Sequence, residues 1–185
     1  IVVDATHPFA TLASGNIRAA SLAVGARCLR LARPVEALPK GVVSVTSIAC
    51  AARFLSENPG RALLTTGSKE LAPYTRLADY AERFFVRVLP LPGAITKCID
   101  AGFSPSHIIG MQGPFTRELN EAMLRQVGAQ WLVTKDSGTV GGTAEKIASA
   151  RDVGARCIVV ARPAEGGGAL SLMEVEDALL REFAR

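Results

Sequence analysis

The chain has 185 residues, 49% of them hydrophobic and 21% charged, with 21 Lys+Arg against 17 Asp+Glu for a net charge of +4. A chain this apolar and this weakly charged can meet the entropy cost of folding, which excludes a disordered polypeptide. No run approaches the roughly 20 apolar residues that span a bilayer, and no secretory leader is recognisable, so neither a membrane nor an export role is expected. The basic residues are scattered rather than gathered in a tract, which argues against nucleic acid and suits an anionic small molecule. Cys28, Cys50, Cys98 and Cys157 are isolated from one another. With only His7 and His107 beside them, they read as reduced thiols of a cytoplasmic protein without a metal site.

Short apolar runs alternate with amphipathic stretches along the chain. Strands are expected at Ile1–Thr6, Ala26–Ala32, Ala62–Thr66, Phe84–Leu89, His107–Met111, Gln130–Thr134 and Ala155–Ala161. Each is rich in Val, Ile, Leu or Phe and stops at a turn-forming residue. Helices are expected at Leu12–Val24, Ser47–Glu57, Pro73–Ala81, Gly93–Ala101, Thr116–Val127 and Ala144–Val153, with another at the C-terminus. In Thr116–Val127, Leu119, Met123, Leu124 and Val127 fall on one stripe, with Arg117, Glu118, Glu121 and Arg125 outside it. Continuous apolar strands alternating with helices imply an α/β fold with mainly parallel sheets covered on both faces.

Gly25-Ala-Arg-Cys-Leu-Arg-Leu-Ala-Arg-Pro34 recurs as Gly154-Ala-Arg-Cys-Ile-Val-Val-Ala-Arg-Pro163. A strand, a polar turn and a helix precede each copy. The repeat predicts two Rossmann-like halves, residues 1–89 and 90–185, with a ligand cleft between them. Pro90–Gly93 reads as the connector and Glu165–Gly168 as a second flexible turn. The chain opens within a strand, without an initiator Met, and is expected to be a fragment.

Ligands of parallel sheets bind beyond the carboxyl ends of the strands, where helix N-termini favour anions. The first strand ends in Thr6-His7-Pro8, with Pro8 expected to set the first helical turn; either Thr6 or His7 presents a side chain to a ligand, or Thr6 only caps the helix and His7 is exposed. The third ends in Thr65-Thr66-Gly67-Ser68-Lys69-Glu70, an anion cradle or a capped turn with a solvated Lys–Glu pair. Gly113-Pro-Phe-Thr116 combines close backbone approach with a helix start. Lys135-Asp-Ser-Gly138 followed by Gly141-Gly142-Thr143, Glu145 and Lys146 carries more charge and glycine than a turn needs. No Walker loop, G-x-S-x-G elbow, H-E-x-x-H or G-x-G-x-x-G fingerprint is present.

Taken together, Val3-Asp-Ala-Thr-His-Pro-Phe-Ala10, Leu64-Thr-Thr-Gly-Ser-Lys-Glu-Leu71, Gly113-Pro-Phe-Thr116, Thr134-Lys-Asp-Ser-Gly138, Glu145-Lys146 and Arg162-Pro163 resemble the precorrin-6A and cobalt-precorrin-6A reductases of cobalamin biosynthesis. The resemblance covers essentially the whole chain but lacks the family's N-terminal strand and glycine-rich turn. It implies two Rossmann-like domains and NADPH-dependent reduction of a double bond in an anionic, tetrapyrrole-derived macrocycle. On that reading His7, Lys69 and Lys135 are the expected catalytic residues, as proton donors or cationic neighbours of the reacting ring. Thr6, Pro8, Thr66, Gly67, Ser68, Gly113, Pro114 and Thr116 are expected at the cofactor, and Asp136, Ser137, Gly138 and Gly142 at the substrate. Lys135 can equally hold a carboxylate arm of the macrocycle. A monomer or weak homodimer is expected. Two other readings fit the same loops: a non-redox nucleotide- or sugar-phosphate-binding protein, and a partner that only associates with another pathway enzyme.

Overall fold

Strands whose side chains are apolar on both sides must be covered on both faces, and among the described residues every strand pairing is parallel. The computed structural model describes residues 1–32, 37–138, 141–163 and 168–184. Its contacts group into two units, residues 1–36 with 162–185 and residues 37–161.

The first unit holds β1 (Val2–Asp4), α1 (Thr11–Ala23), β2 (Cys28–Arg30) and a C-terminal helix, Leu172–Phe183. β1 and β2 pair in parallel, and Leu31 bridges Leu170 beyond the end of β2. Ser171 and Glu174 form a capping box at the start of the C-terminal helix. Pro8, expected within the first helical turn, sits ahead of α1 instead. The Ala10 N–H donates to the His7 carbonyl at 2.8 Å, closing a turn in which Pro8 holds the second position.

The second unit holds β3 (Val43–Val45), α2 (Ile48–Glu57), β4 (Ala62–Leu64), α3 (Ala72–Thr75), α4 (Tyr80–Arg83), β5 (Phe84–Val88), α5 (Pro92–Asp100), β6 (Ile108–Gly110), α6 (Arg117–Val127), β7 (Trp131–Lys135), α7 (Thr143–Asp152) and β8 (Arg156–Val160). The C-terminal helix of the first unit is therefore α8. The six strands lie in the order β3-β8-β7-β4-β5-β6. Side chains alternate across this sheet: Leu63, Leu132, Cys157 and Val159 pack with Met123, Leu124 and Val127 of α6 and Ala150 of α7. Trp131, one residue out of phase, meets Phe54 of α2 edge to face at 5.3 Å.

The α/β class and the parallel pairing agree with the expectation. The repeated segments also correspond: β1-α1-β2 and β7-α7-β8 are each parallel strand–helix–strand units. Arg33 and Pro34 of the first copy, and Glu165–Gly167 of the expected turn, lie outside the described residues. Besides Pro8, three expectations differ. The contacts do not divide at 89/90, because β5 and β6 on either side of Pro90–Gly93 are hydrogen-bonded neighbours. Pro92 simply opens α5. The helix expected at Pro73–Ala81 is two short turns, the first anchored by buried Tyr74 against the Phe84 ring and the second braced by Asp79 with Arg83. In α6, Asn120 is buried while Leu119 is exposed, so the inward stripe is rotated from the expected one. Among the described residues no helix is long and apolar enough to cross a membrane. All four cysteines are free, Cys98 and Cys157 being buried.

Asp4 is the buried charge of the first unit, 3% exposed. Its Oδ1 accepts from the Thr6 hydroxyl at 2.7 Å, the Thr6 N–H at 3.0 Å and Arg30 Nη1 at 2.9 Å. Burial works against ionisation here, but Thr6, Ser14 and Arg30 together outweigh it and hold the carboxyl down at about 2. A depressed carboxyl contributes stability above its unfolded value of about 3.9, and that stability is lost as pH falls toward 2. Asp4→Asn should therefore cost about 1.5–3 kcal/mol near neutral pH. Denaturation curves of the two proteins should converge in strong acid; an equal gap at every pH would contradict this assignment.

Candidate functional site

The winding of the second unit reverses once. From β4 the chain steps outward through β5 to β6, then returns to place β7 on the other side of β4 and steps outward again to β8. The carboxyl ends of β4 and β7 thus flank a topological switch point, where neighbouring loops diverge and leave a crevice. Thr65 fixes this boundary: its N–H and its Oγ1 each donate to the Val133 carbonyl at 2.8 Å.

The loop after β4 carries Thr66, Gly67, Ser68 and Lys69. Thr66 is buried, and its hydroxyl has no hydrogen-bond partner among the described residues. The same is true of the buried Tyr74 hydroxyl. Burial pushes that phenol above its ordinary range, with the Thr66 hydroxyl pulling weakly the other way. Gly67 has φ +86° and open space where a Cβ would stand, so the backbone there can lie against a ligand. Ser68 is half-buried and Lys69 exposed. Glu70 closes the loop across the switch point, accepting from Lys135 Nζ through Oε2 at 2.6 Å.

The loop after β7 is wired to itself. The Gly138 N–H donates to Asp136 Oδ1 at 3.3 Å, and the Ser137 N–H to Thr143 Oγ1 at 3.0 Å. Ser137 Oγ donates to the Gly141 carbonyl at 3.3 Å. A side chain at Gly141 would collide with Ser137 Cβ and Oγ, and Gly142 adopts φ +65° as it caps α7. No side chain caps that helix; the Thr143 N–H donates to the Gly138 carbonyl at 3.4 Å, and the rest of the first turn presents the positive end of the helix.

A cavity of about 540 Å³ lies at this loop, lined by Gly113, Pro114, Phe115, Asn120, Gly141, Gly142, Glu145 and Lys146. It brings Gly113 and Pro114, expected at a cofactor, together with Gly142, expected at a substrate. Thr116 lies outside this lining; its hydroxyl accepts from the Leu119 N–H at 3.3 Å as the cap of α6. The site residues of the first unit are Thr6, His7 and Pro8. Thr6 Oγ1 joins Asp4, Ser14 and Arg30 instead of capping α1. His7 Nδ1 accepts from the Phe9 N–H at 3.2 Å, which places the proton of the neutral ring on Nε2.

Two polar residues were not among the sequence candidates. Arg87, 5% exposed, donates through Nη1 to Asn120 Oδ1 at 2.7 Å and lies 3.8 Å over the Phe115 ring. The signal for it is a lone charge inside the apolar run Phe84-Phe-Val-Arg-Val88. Asn120 occupies an inward position of α6 and shows no such signal.

The chain matches the family described as Precorrin-6x reductase CbiJ/CobK over residues 1–181. It belongs to that family. It is 40% identical over 168 residues to the cobalt-precorrin-6A reductase of Methanothermobacter thermautotrophicus, a match covering 88% of this chain and 54% of that protein. With the cobalt-precorrin-6A reductase of Salmonella typhimurium it shares 35% identity over 188 residues, covering 100% of this chain and 71% of the relative. A solved structure, CobK precorrin-6A reductase, superposes with a TM-score of 0.74 at 25% identity, covering 98% of this chain and 72% of that one. The chain thus spans about half the length of the first of these relatives.

The tight turn at Gly141 is directly testable. Gly141→Ala should destabilise the protein by about 1–3 kcal/mol in thermal or urea denaturation. Adding Ser137→Gly removes the colliding atoms and should restore most of the loss. A double variant no better than Gly141→Ala would show that the contact is not what fixes the loop.

Proposed function

We propose that this chain carries out precorrin-6A or cobalt-precorrin-6A reduction, with NADPH as reductant. The observation that carries the reading is the coincidence of family membership along residues 1–181 with the gathering of Thr66, Gly67, Lys135 and Gly138 around one switch point. The residues after β4 fit a bound nucleotide: the buried Thr66 hydroxyl has only the neighbouring Tyr74 hydroxyl near it, at longer than normal hydrogen-bond distance, and space stands open above Gly67. Thr66, Gly67 and Ser68 would hold it through the hydroxyls and the exposed backbone. When bound, the nucleotide supplies the hydride.

The chain's own residues supply orientation and charge. Lys135, 21% exposed at the end of β7 and held by Glu70, presents a cation of fixed position. Such a group offsets negative character developing in the reduced ring, or anchors a carboxylate arm of the macrocycle. Lys69 offers a second, exposed cation one residue before Glu70. His7, with its neutral-ring proton on Nε2, offers a hydrogen-bond donor there, and would serve as a proton donor only as the imidazolium. Asp136, Ser137 and Gly138, whose hydrogen bonds within the loop fix its shape, would line the substrate.

Lys135→Ala should lower NADPH-dependent reduction of precorrin-6A or its cobalt form by about a hundredfold while leaving the circular dichroism spectrum unchanged. Unchanged turnover would remove Lys135 from the reaction. Failure of the unaltered protein to bind NADPH, followed by nucleotide fluorescence with NADH as control, would overturn the reductase reading itself.

A further inference from the structure

The cavity beside α7 has one cation in its wall, Lys146, and a second, Arg87, buried behind that wall. Arg87 is buried on the α6 side of β5, and of its five N–H donors only those on Nη1 find acceptors, the Asn120 oxygen at 2.7 Å and the weak Met123 sulfur at 3.8 Å. Nε and Nη2 have no acceptor among the described residues. Lys146 lines the same cavity and donates to the Gly141 carbonyl at 2.9 Å. Neither cation forms an ion pair among the described residues. Arg87 is buried and Lys146 half-buried, and bringing two cations together without a carboxylate at ion-pair distance carries a cost that an anionic ligand would offset.

The surroundings point the same way. Asn120 and Phe115, the two residues that hold the Arg87 guanidinium, are themselves part of the cavity wall. Gly142 opens α7 with no side-chain cap, so the helix presents its positive end there. Cys157 faces Lys146 from β8, but burial pushes its thiol up to about 12 and it stays neutral. Glu145 is the acid in the wall, and it is exposed. Burial first, and Arg87 second, push the Lys146 ammonium down to about 8.

We propose that this cavity is an oxyanion receptor: Lys146 and the positive end of α7 grip a carboxylate or phosphate group of the ligand, and Arg87 reinforces them from behind Phe115 and Asn120. Its chemistry rests on the cavity alone, whereas the choice of ligand rests on the reductase reading. The macrocycle offers carboxylate arms and the nucleotide offers phosphates. Glu145, exposed in the same wall, works against a bound anion, so the receptor depends on Lys146 and Arg87 together.

The test compares binding of uroporphyrin, a tetrapyrrole polycarboxylate followed by its fluorescence, and of inorganic pyrophosphate, followed by calorimetry. Lys146→Met keeps the length of the side chain and removes its charge; Lys146→Arg restores the charge. Lys146→Met should weaken a probe that the unaltered protein binds by about tenfold or more, and Lys146→Arg should recover most of it. Loss confined to uroporphyrin assigns the receptor to carboxylate arms, and loss confined to pyrophosphate assigns it to nucleotide phosphate. Loss of both supports a receptor open to either group. The bound probe should also protect Lys146 from amine acylation near pH 8, because a neighbouring anion favours the charged ammonium. Affinities unchanged in Lys146→Met, or an unaltered protein that binds neither probe, would overturn the proposal. Failure of the reductase reading appears separately, as absence of NADPH binding with probe binding intact.

Discussion

The pairing of β4 with β7 is the constraint on which the second unit depends. Thr65 directs both its N–H and its hydroxyl at the carbonyl of Val133, joining residues 68 positions apart in sequence. Because β4 is also paired with β5 on its other side, this contact forces the winding to reverse between β4 and β7. Loops on either side of the reversal then leave the sheet in different directions. The crevice, the Glu70–Lys135 bridge across it and the placing of α7 beside α6 all follow from that reversal.

Charge in this chain acts through position rather than quantity. A net charge of +4 over 185 residues says little about a ligand. What matters is that Arg87 is carried on a buried strand, on the face covered by α6, and that Lys146 enters the neighbouring cavity from α7. Asp4 in the first unit shows the opposite solution: a buried carboxylate completed within the protein by Thr6 and Arg30. The Asp4 charge is completed by a cation, whereas Arg87 and Lys146 meet only neutral acceptors among the described residues, Asn120 and Met123 for the first and the Gly141 carbonyl for the second.

Most of the architecture was legible in the sequence because apolar runs and amphipathic stretches alternate without ambiguity. The strand Val43–Val45 was not, since three residues with a polar centre fall below any periodicity signal and its pairing with β8 is visible only in three dimensions. Pro90–Gly93 looked like a linker because proline and glycine punctuate both domain boundaries and ordinary strand–helix turns. The glycines at 67, 138, 141 and 142 could be read as a cradle from composition alone; that Gly141 is demanded by Ser137 could not. Arg87 was hidden for a related reason. A charge in an apolar strand signals something unusual, but only the fold shows Asn120 and Phe115 beside it.

The most direct examination of the switch-point site is a nitrogen-15 NMR titration of the protein with NADPH and then with uroporphyrin, following backbone amides. Shifts concentrated at Gly67, Ser68, Gly113, Gly138 and Gly142, with those around Ser44–Glu57 unmoved, would place both ligands beyond the carboxyl ends of β4 and β7. Shifts confined to the opposite edge of the sheet, or none at the glycines, would contradict the site described for this reductase-family chain.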